Sequence, residues 1–339
     1  MRARERGIII GEMQPGPGNA ITDVEGVFVG HETIDTDRHK TGVTVVLPSK
    51  DNPYLNKLVA ASFVLNGFGK TQGLIQVDEL GSIETPIALT NTLNIGIVHD
   101  ALVEYAIQTC REEGHRVTTV NPIVCECNDS SLNDIQERAV TREHVFRAIK
   151  NASPIVQEGD VGCGKGTTCH GLKGGVGTSS RIMNIEGESF TIGVLCQTNH
   201  GRLKDLTING DAIGKNIYDS LYDNEPDKGS CIIIIATDLP VSSRQLRRII
   251  KRAGVSLARL GSFWGHGSGD VLVGFSTANR MPVSSPAILS ARFLKEGILD
   301  TAFRACAEAA EEALLNSMLE ANAVTGFSGE HRNSLSEFI

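Results

Sequence analysis

A glycine and a serine, Gly229–Ser230, stand where a polar stretch, "DNEPDK", gives way to "CIIIIAT". The change predicts a solvated loop running into a fully buried strand. Serine is a weak nucleophile unless a base takes its proton. At a chain terminus it carries its own base, because an α-amine titrates near ~7.7–8.0 and is partly neutral at physiological pH. A terminus inside a chain requires that the preceding peptide bond be cut. Attack of the serine hydroxyl on the carbonyl of Gly229 gives an ester, and water opens it. A glycine before the serine tolerates the twisted backbone such an attack needs. The same pair also fits an ordinary turn at a loop–strand border. Taken alone, these two residues leave both readings open.

Other reactive residue types are less specific. Ser268 in "HGSGD" comes close to a nucleophile elbow, but His266 and Asp270 occupy the two positions that need glycine. Gly159, Gly164 and Lys165 approach a phosphate-binding loop, yet Gly166 stands where Ser or Thr should hold Mg²⁺. The following "TTCHGLKGG" is no helix, so no dipole end faces a phosphate. A glycine-rich loop lining a substrate pocket or a subunit contact is the better expectation. The nine histidines include no HExxH or HxH; His200 and His266 lie beside glycines and could share a pocket. The eight cysteines include no CxxC pair, the closest being Cys125 with Cys127 and Cys163 with Cys169. Cys196, Cys231 and Cys306 sit in apolar runs and read as buried free thiols in a reducing cytoplasm. No metal ligand set and no cofactor is predicted.

The elements that must position these residues form a chain of 339 residues, 40% hydrophobic and 21% charged, which suffices for a sizeable core. Thirty-six glycines favour turns and close backbone approaches over long helices. A net charge of −8 without a basic stripe excludes a nucleic-acid surface. The charged N-terminus lacks a long apolar core, so no signal peptide is expected, and no stretch approaches a membrane span. Residues 1–22 read as an irregular arm. "GVFVGHETI" and "TGVTVVLPS" read as strands, as do "RIMNIEG" and "SFTIGVLCQTN", which pair as a hairpin turning at "EGE". Residues 60–82 begin as a strand and pass through a glycine loop. Helical spacing predicts a helix over about 98–113, another in "VTREHVFRAIKNA", one long basic helix in "SSRQLRRIIKRAGVSLARL" and a last one in "TAFRACAEAAEEALLNSMLEA". Strands in consecutive pairs mixed with helices predict layered α and β with a largely antiparallel or mixed sheet.

Ordered blocks along nearly the whole chain resemble the DmpA-type family of N-terminal-nucleophile serine peptidases, the L-aminopeptidase/D-esterase and β-aminopeptidase group. These blocks are "NAITDVEGVFVGH", "FVLNGFGKTQGLIQVDELGSIETPIALTNT", "CECNDSSLNDI", "GDVGCGKGTTCHGLKGGVGTSSR", "VLCQTNHGR", "GSCIIIIATDLP" and "GHGSGDVLVGFSTANR". The resemblance implies a four-layer αββα sandwich, shared with ornithine acetyltransferases, in one domain over 1–339. It implies self-cleavage before Ser230 into an α chain, 1–229, and a β chain, 230–339, assembled as a tetramer of αβ units. Ser230 is then the nucleophile, Ser268 and Asp270 the pair that positions its amine, and Asn199 the oxyanion-hole residue. Some members hold the substrate's amino end with a tyrosine near the position of Asn128; here Glu126 or Asp129 is the anionic contact left to do so. Lys165 and His170 stand where smaller or apolar residues are expected, and the lysine charge implies a pocket less suited to cationic substrates. The implied substrates are short peptides, amides or esters. The alternatives are an acyltransferase of the ornithine acetyltransferase type, whose nucleophile is usually threonine, and an uncut member serving as a binding or scaffold protein.

Overall fold

Every residue of Ser230–Thr237 is buried. The run can be apolar on both sides because it is covered on both. Cys231, Ile233 and Ile235 join one core cluster, while Ile232, Ile234 and Ala236 join another. This is the two-residue alternation of a strand between two packed layers. Full burial of each isoleucine contributes about 1.5–3 kcal/mol of transfer free energy. The computed structural model describes residues 1–221, 229–284 and 286–339, so the loop read at 223–228 lies outside the described residues.

The main strands are β1 (Phe28–Asp35), β2 (Lys40–Leu47), β3 (Asn56–Gly67), β4 (Ser82–Ile83), β5 (Ile87–Asn91), β6 (Ile123–Cys127), β7 (Thr168–Cys169), β8 (Leu172–Lys173), β9 (Val176–Ile185), β10 (Glu188–Asn199), β11 (Ser230–Thr237) and β12 (Gly269–Pro282). The helices are α1 (Leu74–Leu80), α2 (Ile95–Glu112), α3 (Arg142–Lys150), α4 (Ile213–Leu221), α5 (Ser243–Ile250), α6 (Ala253–Arg259) and α7 (Leu299–Leu319). One sheet has the order β1-β2-β5-β6, the other β4-β3-β12-β11-β10-β9. Pairing is antiparallel except at β5–β6 and β11–β12. Those two parallel pairs are joined through α2 and through α5 and α6, since parallel neighbours need a crossover.

The layers follow from the cores. Val43, Val45, Ala88 and Val124 of the smaller sheet pack with Val98 and Leu102 of α2 and Val145 and Ala148 of α3. Its other face meets the larger sheet through Val46, Leu89 and Cys125 against Leu195, Ile232 and Val273. The far face of the larger sheet carries α5, α6 and α7 through Leu246, Leu257 and Ala309. The order is helix, sheet, sheet, helix, as the sequence blocks imply. Among the described residues no helix is long and apolar enough to cross a membrane.

The expected hairpin is β9–β10, turning at Glu186 and Gly187 with positive φ at both, as a two-residue turn requires. The N-terminal arm is irregular but anchored to α7, with the Ala3 amide donating to Asn316 Oδ1 at 2.9 Å. Two expectations need correction. The long basic helix is two helices, because the chain tightens at Lys251–Arg252, where the Arg252 amide donates to the Ile249 carbonyl at 3.0 Å. The turn keeps Ala253 and Leu257 in the same core as Ile249. The glycine loop after β3 contains α1, which buries only Val77 and so leaves little periodic signal.

Candidate active site

Six strand ends converge at one end of the sandwich. They are the C-terminal ends of β3, β5, β6 and β10 and the N-terminal ends of β11 and β12. Between them lies a cavity of about 640 Å³, whose wall includes Phe68, Lys70, Thr92, Glu126, Asn128, Thr168, Asn199, Gly229, Ser230, His266 and Gly267.

Ser230 sits directly opposite Asn199 in the β10–β11 register. Ser230 shares strand parity with Ile232 and Ile234, so its side chain projects to the inter-sheet side. Asn199 shares parity with Leu195 and projects to the same side. The Asn199 carboxamide is held by one bond: its Oδ1 accepts from the Thr168 amide at 2.9 Å. That leaves Nδ2 on the cavity wall without a hydrogen-bond partner among the described residues. The Gly229 carbonyl oxygen accepts from the Gly269 amide at 3.1 Å. Cys127 Sγ, on the opposing sheet, lies 3.3 Å from the Ser230 carbonyl oxygen. Burial raises the Cys127 pKa well above its ordinary value, so it stays a neutral thiol and donates this contact.

Ser268 and Asp270 flank Gly269, the residue paired with Ser230 across the parallel β11–β12 contact. Both are fully buried behind the cavity wall rather than on it. The turn that carries Ser268 is pinned by Asn66, whose Nδ2 donates to the carbonyls of Ser268 at 2.6 Å and Gly265 at 2.9 Å. Gly269 is required there by close approach. A β-carbon on it would press on the backbone of Gly69, whose Cα and N would lie only 2.6 Å away.

The carboxylate of Glu126 is almost wholly buried at the cavity wall. Its Oε1 accepts from the Lys70 amide at 2.9 Å, and its Oε2 accepts from Thr92 Oγ1. Asn128 is exposed at the rim, with its Oδ1 accepting from the Ser130 amide at 3.0 Å. On the same side Lys70 Nζ lies 4.3 Å above the Phe68 ring, and Phe68 is 5.9 Å from the His266 ring.

Gly229, Ser230, Asn199, Glu126 and Asn128 therefore share one cavity. Asp129 does not join them: it is buried in the smaller sheet's hydrogen-bond network, and its Oδ1 accepts from Asn133 Nδ2 at 3.0 Å. Lys165 points elsewhere, and its ammonium is 2.8 Å from both Asp35 and Asp160. His170 is also outside the cavity wall. His200 and His266 do not share a pocket: His266 lines the cavity, and His200 packs edge-on against His170 at 5.3 Å. The glycine-rich segment reaches the cavity through Thr168 alone. It wraps an internal ammonium, Lys173 Nζ, which donates to the carbonyls of Gly164, Thr167 and Gly174 at 2.8, 2.8 and 2.6 Å. Three donors matched by three acceptors explain how a lysine can be fully buried there. Sequence reasoning missed Lys70, Thr92 and Phe68; each lies in a block already noted, but as an ordinary polar or aromatic residue it gives no signal alone.

Similarity to known proteins extends over nearly the whole chain. The model of peptidase family S58 matches residues 19–332. The chain is 37% identical to the beta-peptidyl aminopeptidase BapA of Sphingosinicella xenopeptidilytica, over 96% of this chain and 86% of that protein. Among solved structures, the PH0078 protein from Pyrococcus horikoshii OT3 superposes with a TM-score of 0.93 at 46% identity, covering 99% of this chain and 96% of that one. The L-aminopeptidase D-Ala-esterase/amidase from Ochrobactrum anthropi superposes with a TM-score of 0.92 at 35% identity, covering 98% and 95%. It is described as a prototype for the serine aminopeptidases and a new variant among the Ntn hydrolase fold. With the family model spanning nearly the whole chain, this protein belongs to peptidase family S58.

Proposed function

We propose that the chain cuts itself at Gly229–Ser230 and then works as an N-terminal-nucleophile serine aminopeptidase on short peptides, amides or esters. The observation that carries this reading is the meeting of Gly229, Ser230 and Asn199 on one cavity wall. In the first step Ser230 Oγ adds to the Gly229 carbonyl carbon, and the Gly229 C–N bond breaks as the Ser230 nitrogen takes up the hydroxyl proton. The Gly269 amide already donates to the oxygen on which charge develops. Water hydrolyses the ester, giving chains 1–229 and 230–339.

In turnover the freed Ser230 amine takes the Oγ proton, and Oγ attacks the substrate carbonyl. Asn199 Nδ2 supports the oxyanion, and the amine returns the proton to the leaving group. Water then releases the acyl group. Ser268 and Asp270 hold the amine from behind the wall. Glu126 receives the ammonium of the substrate, with Asn128 at the rim. The relatives acting on β-peptidyl and on L-amino and D-Ala substrates support an aminopeptidase over an acyltransferase.

The test is an intact-mass measurement and a denaturing gel, with activity followed on p-nitroanilides of α- and β-amino acids. Two chains are expected, the shorter beginning Ser-Cys-Ile, and Ser230→Ala should remain single and inactive. A wild-type chain that stays whole for days while turning over amides would overturn the self-cut mechanism.

A further inference from the structure

Behind the wall that carries Thr168 and Asn199, the residues that follow them in the chain, Cys169 and His200, meet His170. One ligand atom from each of the three lies within 4.8 Å of the others, and all three residues are buried. We infer that Cys169, His170 and His200 form a binding site for a borderline-soft divalent cation, zinc being the natural occupant.

The chemistry of the set is selective. One thiolate and two imidazoles suit zinc, whereas oxygen-seeking cations such as magnesium and calcium need carboxylates, carbonyls and water. The dimensions also fit. Zinc bonds sulfur at about 2.3 Å and imidazole nitrogen at about 2.0–2.1 Å, so a tetrahedral site separates the two donors by roughly 3.5 Å. Cys169 Sγ lies 3.8 Å from His200 Nδ1 and 4.0 Å from its Nε2, so this pair needs only a small contraction, and His170 must close in from within 4.8 Å. His170 Nδ1 is 3.0 Å from the Arg202 carbonyl oxygen, to which Nδ1–H donates. That bond places the lone pair on Nε2 and orients the ring, the usual outer-shell support of a ligating histidine.

The ligands are also held in place before an ion arrives. The His170 amide donates to the His200 carbonyl at 2.7 Å, tying the two segments together. His170 adopts a left-handed backbone with φ of 48°, a conformation that a bulky residue rarely takes unless its surroundings fix it. Cys169 is fixed by its pairing with Leu172 in the β7–β8 ladder. Three protein ligands leave one tetrahedral position for water or another donor, the pattern of an exchangeable site rather than a closed structural one. Spacing searches miss it because Cys169 and His200 lie 31 residues apart in the chain.

The test is titration of the whole purified protein, stripped with chelator, using Co²⁺ and then Zn²⁺. One equivalent of Co²⁺ per chain should give a thiolate-to-cobalt charge-transfer band and tetrahedral visible bands, both bleached by one equivalent of Zn²⁺. Zinc should raise the thermal midpoint of the wild type. Cys169→Ser should lose the charge-transfer band, and His170→Gln should weaken zinc binding by more than about 10-fold. If Cys169→Ser fails to fold, Cys169→Ala serves the same purpose, and the wild-type cobalt spectrum stands independently of both. A folded wild type with no thiolate band at stoichiometric Co²⁺, or a band retained when Cys169 is replaced, would overturn the assignment.

Discussion

Ser230 and Asn199 are direct cross-strand partners on β11 and β10, and both side chains open onto the same cavity. Opposed residues on one face of a pair hold their β-carbons about 4.5–5.5 Å apart. That spacing suits a nucleophile and an oxyanion donor serving one carbonyl between them. The donor is set by a single bond, because Thr168 N–H claims Oδ1 of Asn199 and leaves the NH₂ end for the cavity.

Asn199→Ala should lower kcat by roughly 10²–10³, the cost of losing one oxyanion donor. KM should change little, since the donor acts on charge that appears only in the transition state. Steady-state kinetics on one amide substrate, with the gel pattern checked first, separates the two. A rise in KM at unchanged kcat would assign Asn199 to ground-state binding instead.

Gly229→Ala should block or strongly slow the cut. A β-carbon at residue 229 would overlap the carbonyl oxygen of Asn199, so the end of β11 must move away from β10 to admit it. The displaced segment carries the Gly229 carbonyl, which the Gly269 amide holds and which Ser230 would attack in the proposed cut. A time course on denaturing gels reads the result directly. Cutting at the wild-type rate would mean that this packing does not control the reaction.

Much of the fold is legible in the sequence, and the exceptions have physical causes. "CIIIIAT" declares a strand covered on both faces, and "EGE" declares a turn, because both signals are local. α1 is hidden because seven residues with one buried side chain carry almost no periodicity. The break at Lys251–Arg252 is hidden because the apolar stripe continues through it into Ala253 and Leu257, and the break itself is a tightened backbone bond from the Arg252 amide to the Ile249 carbonyl with no mark in the sequence. In the site, the loop-to-strand border at Ser230 is visible, whereas its register with Asn199 is a long-range pairing with no local mark. Glu126 and Asp129 look alike as acids three residues apart. The strand end gives one to the cavity and the turn after it buries the other.

Asp129 makes stability depend on pH. Burial raises its pKa from 3.8 to about 6 against the hydrogen bonds from Thr41, Asn133 and Asn91. The folded state thus holds a proton that the unfolded chain has released, between the ordinary carboxyl value and about 6. Its contribution is fully present below the ordinary value and is lost as pH rises through about 6, by an amount on the order of 3 kcal/mol. Asp129→Asn is neutral throughout and should lack that slope. Unfolding of both proteins in the uncut Ser230→Ala background, at intervals from pH 4 to 7, should show the variant gaining on its parent as pH rises. Parallel curves would contradict a buried, protonatable Asp129.

The identity of the base separates this mechanism from an ordinary serine hydrolase. His266 is the one histidine on the cavity wall, and it packs against Phe68 at the rim. His200 follows Asn199 in sequence but packs with His170 and Cys169 instead. An imidazole base would impose an acid limb near ~6.5, an α-amine base one near ~7.7–8.0 or lower where burial disfavours its charge. Those ranges overlap, so substitution must decide. Removing a general base typically costs about 10²–10⁴-fold. His266→Gln and His200→Gln should each keep at least a tenth of kcat in correctly cut protein. Ser268→Ala and Asp270→Asn should each cost more than either histidine change, because both residues flank the glycine paired with Ser230 and are proposed to hold its amine. Loss of turnover in His266→Gln with Ser268→Ala still active would move the base to the imidazole. Ser230 would then belong to a Ser–His pair, and the cut before it would expose the nucleophile without supplying its base.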